Sequence, residues 1–223
     1  MKFISCLLIY YGKVCIIKRR EVKNMSEVRM PTQKRSIEKR DRIIKMGFEL
    51  MCNQGYYDTN TVDIAKYANV STGIIYQYFN DKREIFIEGA RQYSDEIMFP
   101  IFMLIDEHEK LPDDLKSFFK KIIETNKKQH TSSKRAHQEI TAIEHLDEEV
   151  GAIFKNSEIA FSDKLYHLFV HNGFGKDGLK EKMHLIVNWI DNLAHEEVYH
   201  KHANLDYEVM ENIVIEAILN ILK

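Results

Sequence analysis

Apolar residues recur at intervals of three and four from Ser36 onward, which is the spacing of amphipathic helices. Strand-like alternation is nearly absent, and three prolines and nine glycines are few for 223 residues. These features predict an all-α fold rather than a sandwich or barrel. The predicted helices lie near residues 36–54, 61–68, 71–79, 82–108, 112–129, 132–145, 147–172, 179–202 and 206–222.

Several of these helices have recognisable end signals in the sequence. Gly55 suits the left-handed residue that follows a last helical turn. Asn60 or Thr61 is expected to cap the second helix, and Ser71 is expected to cap the third. Residues 81–84 fit a capping box, in which an aspartate caps the helix and a glutamate returns the hydrogen bond.

The last two predicted helices carry more apolar surface than one face can bury. Only a narrow strip of the helix at 206–222 is clearly polar, and such a helix must be covered on two sides. We therefore expect a homodimer, the alternative being that both sides are buried within one chain. The expected interface residues are Met183, Val187, Ile190, Ala194, Met210, Ile213, Val214, Ala217 and Ile221.

Charge is unevenly distributed along the chain, although the formal net charge is only −2. Residues 1–90 contain sixteen Lys and Arg against ten Asp and Glu, a net of +6, which leaves −8 for residues 91–223. A basic front half indicates a polyanionic partner. The alternative is a basic N-terminal arm that has no partner.

Residues 1–35 precede the helical pattern and are interpreted as an extension, expected to be disordered. Their apolar run at 3–11 is too short to span a bilayer, so we expect no membrane partner. Cys6, Cys15 and Cys52 have neither the spacing of a zinc site nor that of a disulfide framework, which favours a cytoplasmic protein.

The most specific stretch is 58–85, which reads as two short helices joined by a tight turn and followed by a capped third. The second short helix can enter a major groove, where Gln77 can pair with adenine and Ile74 can touch a thymine methyl. Hydroxyl groups and a lysine nearby can reach phosphates. The alternative is a helix-turn-helix used only for packing. The predicted DNA-contacting residues are Thr61, Ser71, Thr72, Gly73, Ile74, Tyr76, Gln77, Tyr78 and Lys82.

Segment 37–88 resembles the DNA-binding domain of TetR-family transcriptional regulators, with two departures. Gly47 stands where the family usually has alanine, which should weaken the first helix slightly, and an N-terminal extension of 24 residues is unusual for the family. The residues that carry the resemblance are Gly55, Thr61, Ile64, Ala65, Ala68, Val70, Ser71, Gly73, Tyr76, Tyr78, Phe79 and Lys82.

The resemblance implies a three-helix DNA-binding domain at 36–83 and a larger helical ligand-binding and dimerisation domain at 84–223. It also implies a homodimeric repressor that a small-molecule inducer releases from a palindromic double-stranded operator. In that mechanism the fourth helix swings, and Pro100 is expected to kink it. No enzyme motif and no cofactor is predicted.

The inducer cannot be read from the sequence, but large apolar and polar residues of the second domain can be named as pocket candidates. Two alternatives stay open: a metal-responsive regulator that uses its histidines, and a helical protein-interaction module without an inducer. No residue is assigned as a metal ligand, although His167 and His171, or His195 and His202, can share a helix face. The pocket candidates are Phe102, Phe119, His137, Phe161, Asn188 and Trp189.

Overall fold

The computed structural model describes residues 34–107, 110–132 and 134–223. Every regular element in these ranges is an α-helix, which confirms the predicted all-α fold. Residues 1–33 of the predicted extension, and the predicted end of the fourth helix at residue 108, lie outside the described residues. The helices are α1 (Lys34–Gln54), α2 (Thr61–Tyr67), α3 (Thr72–Tyr78), α4 (Lys82–Asp106), α5 (Leu115–Ser132), α6 (Lys134–Glu144), α7 (Glu148–His171), α8 (Leu179–Tyr199) and α9 (Tyr207–Ile221).

The predicted end signals of the first helices are largely confirmed. Gly55 follows α1 with a φ of +102°, a value that favours glycine. Asn60 caps α2 in a capping box, because its side chain accepts from the Val62 and Asp63 amides and its own amide donates to Asp63. Ser71 occupies the cap position of α3, but its side chain makes no capping hydrogen bond.

The capping box expected at residues 81–84 forms one of its two predicted hydrogen bonds, and the second has a different donor. Asp81 accepts from the Glu84 amide at 3.0 Å, as predicted. The Glu84 carboxylate accepts instead from the amide of Asn80, at 2.8 Å, and from the Asn80 side chain at 2.6 Å. The start of α4 is therefore held one residue further back than the sequence pattern indicates.

Helix α5 extends three residues beyond its predicted end near residue 129. Its added turn carries His130, which is 5% exposed and packs against Asp191 and Tyr199 of α8. Contacts with a distant helix therefore extend α5 past the local signal at which it was expected to stop. No helix among the described residues is both long and apolar enough to cross a membrane.

Two hydrophobic cores are arranged along α4 and α7, which contribute to both. The first core joins α1, α2, α3 and the start of α4 to α6 and the start of α7. The second core joins the end of α4 to α5, the end of α7, α8 and α9. The domain boundary between residues 83 and 84 stays a prediction, and the packing of the first core continues across it through Ile140, Ile143, Val150 and Ile153.

The apolar stripe of α8, predicted to form part of a dimer interface, is buried within the single chain. Met183, Val187, Ile190 and Ala194 are at most 2% exposed and lie inside the single chain. Helix α8 packs against α5, α7 and α9 on this side, so the stripe is already covered. Helical periodicity identifies a buried face but does not say which element buries it.

Helix α9 keeps an outward apolar surface in the single chain. Ile213 is 61% exposed and Val209 is 53% exposed, one helical turn apart. The other interface candidates on this helix, Met210, Val214, Ala217 and Ile221, are half-buried. The α9 half of the predicted interface is therefore still available to a partner.

Candidate nucleic-acid interface

The turn between α2 and α3 is built by one left-handed residue and one long-range amide bond. Asn69 has a φ of +53°, which asparagine tolerates better than most residues. The amide of Val70 then donates to the carbonyl of Ala65 at 2.9 Å. Ile75 and Phe79 are buried in the first core, so α3 is anchored along one side only.

The opposite side of α3 faces outward and carries most of the predicted DNA contacts. Ser71, Gly73, Tyr76 and Gln77 are exposed, whereas Thr72, Ile74 and Tyr78 are half-buried. Ile74 and Tyr78 also pack against the first core, so only part of each side chain is free for a groove. The structure thus brings the α3 candidates together on one accessible surface.

Gly73 is not explained by the fold itself. Its φ is not positive, and a Cβ built on it meets only the Ser71 Oγ, at 4.0 Å. Glycine also lowers helix stability by about 1 kcal/mol relative to alanine. The missing side chain leaves the backbone of α3 open to close approach from outside at this point.

Thr61 and Tyr76 connect the start of α2 to α3. Their hydroxyl oxygens lie 3.0 Å apart in a hydrogen bond, although the two residues are 15 apart in the sequence. Tyr76 is 55% exposed, so its hydroxyl can accept this bond and still face solvent. The two candidates therefore form one polar edge beside the exposed side of α3.

Lys82 has partners within the chain that the sequence did not predict. Its ammonium group donates to the carbonyls of Tyr56 at 2.6 Å and Thr59 at 2.7 Å, and lies 4.5 Å from the centroid of the Tyr56 ring. The charge thus stabilises the loop between α1 and α2. The phosphate contact stays a prediction, and it requires Lys82 to share or release these carbonyls.

Two polar links join the helix-turn-helix region to the larger part of the molecule. The Tyr56 amide donates to Glu139 of α6 at 2.6 Å. Arg83 donates to both carboxylate oxygens of Asp147, the cap of α7, at 2.5 and 2.8 Å. The hydrogen bond from Arg83 holds the pKa of Asp147 below its usual value. Sequence reasoning missed both links because the partners are 83 and 64 residues apart.

The six pocket candidates lie in separate places. Phe119 and Phe161 are buried in the second core, and Phe102 packs at its edge below Lys164. Asn188 and Trp189 line an open groove of about 460 Å³ along α8. His137 belongs to a different group of side chains.

That group contains three histidines from three helices. His130 of α5, His137 of α6 and His195 of α8 place ring nitrogens within 4.8 Å of one another, and we call them the histidine cluster. Helical spacing in the sequence places His195 on one face with His202 and indicates no partner for His130 or His137. The cluster is a feature that only the packing of the helices reveals.

Comparison with known proteins agrees with the geometry of residues 43–88. This stretch matches the profile described as bacterial regulatory proteins, tetR family. The HTH-type transcriptional regulator HbdR of Aromatoleum sp. (strain CIB) is 52% identical over 48 residues, which cover 22% of this chain and 21% of HbdR. The match therefore spans about a fifth of that relative's length.

Solved structures extend the likeness to the whole described fold. A TetR-family regulator from Mesorhizobium loti has a TM-score of 0.67 at 15% identity, covering 85% of this chain and 98% of its own. The fatty acid degradation regulator FadR from Bacillus halodurans has a TM-score of 0.58 at 20% identity, covering 81% and 94%. At these identities the likeness is one of fold. Residues 43–88 are therefore similar to bacterial regulatory proteins of the tetR family, and the described helices share their fold with solved TetR-family regulators.

Proposed function

We propose that this regulator is a homodimeric repressor that binds a palindromic DNA operator through α3 and is released from it by a ligand. The observation that carries the DNA-binding role is the exposed side of α3, where Gly73 and Gln77 face outward. Gln77 reads a base, and the amide backbone at Gly73 approaches the groove closely. Hydroxyl groups of Thr61, Thr72 and Tyr76 contact phosphates beside it.

The outward surface of α9 supports the homodimer. Ile213 and Val209 leave apolar surface uncovered in the single chain, and a second copy of α9 offers a surface of the same character. A two-fold dimer presents two α3 helices, which reach half-sites about 34–36 Å apart or a multiple of that distance. This symmetry is the reason to expect an inverted repeat.

A route for ligand response follows from the two polar links. Glu139 ties α6 to the loop after α1, and Asp147 ties α7 to the first turn of α4. A ligand that shifts α6 or α7 must therefore stretch these bonds or carry the helix-turn-helix region along. Because α4 belongs to both cores, it transmits the same displacement.

The test is selection of binding sequences from random duplexes by the full chain, repeated with Gln77→Ala. We expect an inverted repeat for the native chain. For the variant we expect relaxed preference at one position per half-site, worth roughly 1–3 kcal/mol. Gln138→Ala, at an exposed glutamine on α6, is the matched control. Absence of any enriched sequence would refute the DNA-binding proposal, and recovery of isolated half-sites would refute the dimer.

A further inference from the structure

We propose that the histidine cluster binds one divalent transition-metal ion of the Zn²⁺ class, with His130, His137 and His195 as its three protein ligands. Three imidazoles from three different helices converge there, and their ring nitrogens lie within 4.8 Å of one another. His130 is buried, and His137 and His195 are half-buried, so the site lies inside the helical packing rather than on a surface.

The distances leave room for an ion after a small contraction. In tetrahedral zinc sites, metal–nitrogen bonds of about 2.0–2.1 Å place ligand nitrogens roughly 3.3 Å apart. The histidine rings must therefore close by up to roughly 1.5 Å, which rotation about side-chain bonds can supply. The ring centroids of His137 and His195 are already 4.4 Å apart, and those of His130 and His195 are 4.6 Å apart.

The surroundings of His137 and His195 favour neutral imidazoles, the form that binds metals. Burial and, to a smaller extent, the neighbouring His195 and His130 together lower the pKa of His137 to about 3, against an opposing effect of Asp191. Burial also lowers the pKa of His195, although Asp191 opposes this effect. At neutral pH these two histidines therefore hold free lone pairs close together.

Asp191 supplies the outer-shell partner that metal-bound histidines usually have. Its two carboxylate oxygens lie 3.2 Å from Nε2 of His130 and 3.6 Å from Nε2 of His195. Tyr199 stacks on His137 with ring centroids 4.5 Å apart and donates a hydrogen bond to the backbone carbonyl of His130. These contacts orient the rings of His130 and His137 toward the middle of the cluster before an ion binds.

The open groove along α8 provides access to the cluster. Asp191 and His195 belong to both the groove lining and the cluster surroundings. An ion can enter from this side, and the groove has room for a water molecule as the fourth ligand. Three nitrogen ligands suit Zn²⁺, Ni²⁺ or Cu²⁺ and do not suit Mg²⁺ or Ca²⁺, which prefer oxygen.

A bound ion has a route to the helix-turn-helix region, and this part rests on the proposed function. His137 is two residues from Glu139, whose carboxylate accepts a hydrogen bond from the Tyr56 amide. Tyr56 lies in the loop between α1 and α2 that Lys82 also contacts. Any part of the contraction that side-chain rotation does not supply draws α6 toward α5 and α8, and Glu139 moves with it. The metal ion is then the ligand that changes operator affinity.

Metal binding is tested on the full chain after chelator treatment. Zn²⁺ titration calorimetry and the visible absorption of bound Co²⁺ should show one site per chain. His137→Gln and His195→Gln should weaken binding by more than about 100-fold, beyond the range typical of outer-shell changes. Exposed His167→Gln and His171→Gln are the controls and should bind as the native chain does.

Asp191→Asn keeps all three ligands and should weaken binding by about 10–100-fold, which separates loss of an outer-shell partner from loss of the fold. Melting curves without metal should show every variant folded. Absence of Zn²⁺ binding by the native chain, or undiminished binding by the His137→Gln, His195→Gln double variant, would overturn the site.

The regulatory part is tested with the selected operator. Zn²⁺ should change the operator affinity of the native chain by at least about 5-fold and leave that of His137→Gln unchanged. Operator binding without Zn²⁺ binding overturns the metal site alone. Zn²⁺ binding without binding to any duplex overturns the proposed function alone, and Zn²⁺ binding that leaves operator affinity unchanged overturns the coupling.

Discussion

Gly73 lies in the first turns of α3, where a Cβ has only the Ser71 Oγ within 4 Å. Gly73→Ala should therefore keep or raise the melting temperature, because alanine stabilises a helix by up to about 1 kcal/mol. Operator affinity should nevertheless fall by about 10-fold or more, equivalent to about 1.4 kcal/mol, because the added methyl separates the backbone from DNA.

Duplex titration and a melting curve on the same preparation measure both effects of Gly73→Ala. Gly175→Ala, at an exposed loop glycine with open space around it, is the control and should leave operator affinity unchanged. Native operator affinity in Gly73→Ala would mean that DNA does not approach α3 at this residue.

Lys82→Ala is expected to have two separable effects. The first is loss of the hydrogen bonds to the Tyr56 and Thr59 carbonyls. Hydrogen bonds from charged groups contribute about 1.5–3 kcal/mol, so the free energy of unfolding should fall by up to that amount, and by less because the lysine is partly exposed to solvent. The second effect follows if Lys82 also neutralises a phosphate. The slope of the logarithm of the operator-binding constant against the logarithm of the salt concentration should then become shallower by about one unit per subunit.

Melting curves and operator titrations at several salt concentrations measure the two effects of Lys82→Ala. Lys120→Ala removes an exposed lysine from α5 and should change neither stability nor salt dependence. A lower melting temperature with an unchanged salt slope would make Lys82 a purely structural residue.

At the scale of elements, α1 and α4 cross closely where Gly89 meets Phe48. A Cβ on Gly89 would lie 2.4 Å from the Phe48 Cβ, and the Phe48 ring is held between Phe86 and Tyr93. Gly89→Ala should therefore destabilise the protein by about 1–3 kcal/mol through overpacking. Calorimetry should show a lower melting temperature, while Gln92→Ala, at an exposed residue of α4, should leave it nearly unchanged.

The same crossing explains Gly47, which was expected to weaken α1 slightly. A Cβ at this residue would lie 2.8 Å from Cγ2 of Ile85 and 3.0 Å from Cγ2 of Ile64. Glycine at residue 47 therefore lowers the helix propensity of α1 but allows the helices to pack closely.

An unchanged melting temperature in Gly89→Ala would contradict the overpacking prediction, because it would show that α1 and α4 can separate at little cost.

At the scale of the whole molecule, Ile213→Asp and Val214→Asp should differ. Ile213 is 61% exposed in the single chain, so a charge there costs little until a partner covers it. Burying an unpaired charge in the dimer interface costs several kcal/mol, so Ile213→Asp should dissociate the dimer. Val214 packs against the second core, and its replacement should instead lower the melting temperature.

Sedimentation velocity and melting curves distinguish the two α9 variants. Asn212→Asp, in the exposed polar strip of the same helix, is the matched control and should remain dimeric. A native sedimentation coefficient for Ile213→Asp would require the subunits to meet away from α9.

The sequence by itself determined the features that depend on neighbours within a few residues. The helical periods, a cap at Asn60 or Thr61, the left-handed Gly55 and the two-helix motif are all predictable, because capping bonds and helix faces repeat at fixed short spacings. The structure selects Asn60 as the cap. The exposure of Gln77 opposite the buried Ile75 follows from the same spacing.

Only the tertiary structure decided which distant residues meet. The stripe at Met183 and Val187 was known to be apolar, but the covering helices of the same chain, rather than a partner, make it core. His137 reaches His195 across 58 residues, and the carbonyls that hold Lys82 lie in a loop more than 20 residues earlier. Local periodicity records that a side chain is buried, whereas its partner depends on how whole helices pack.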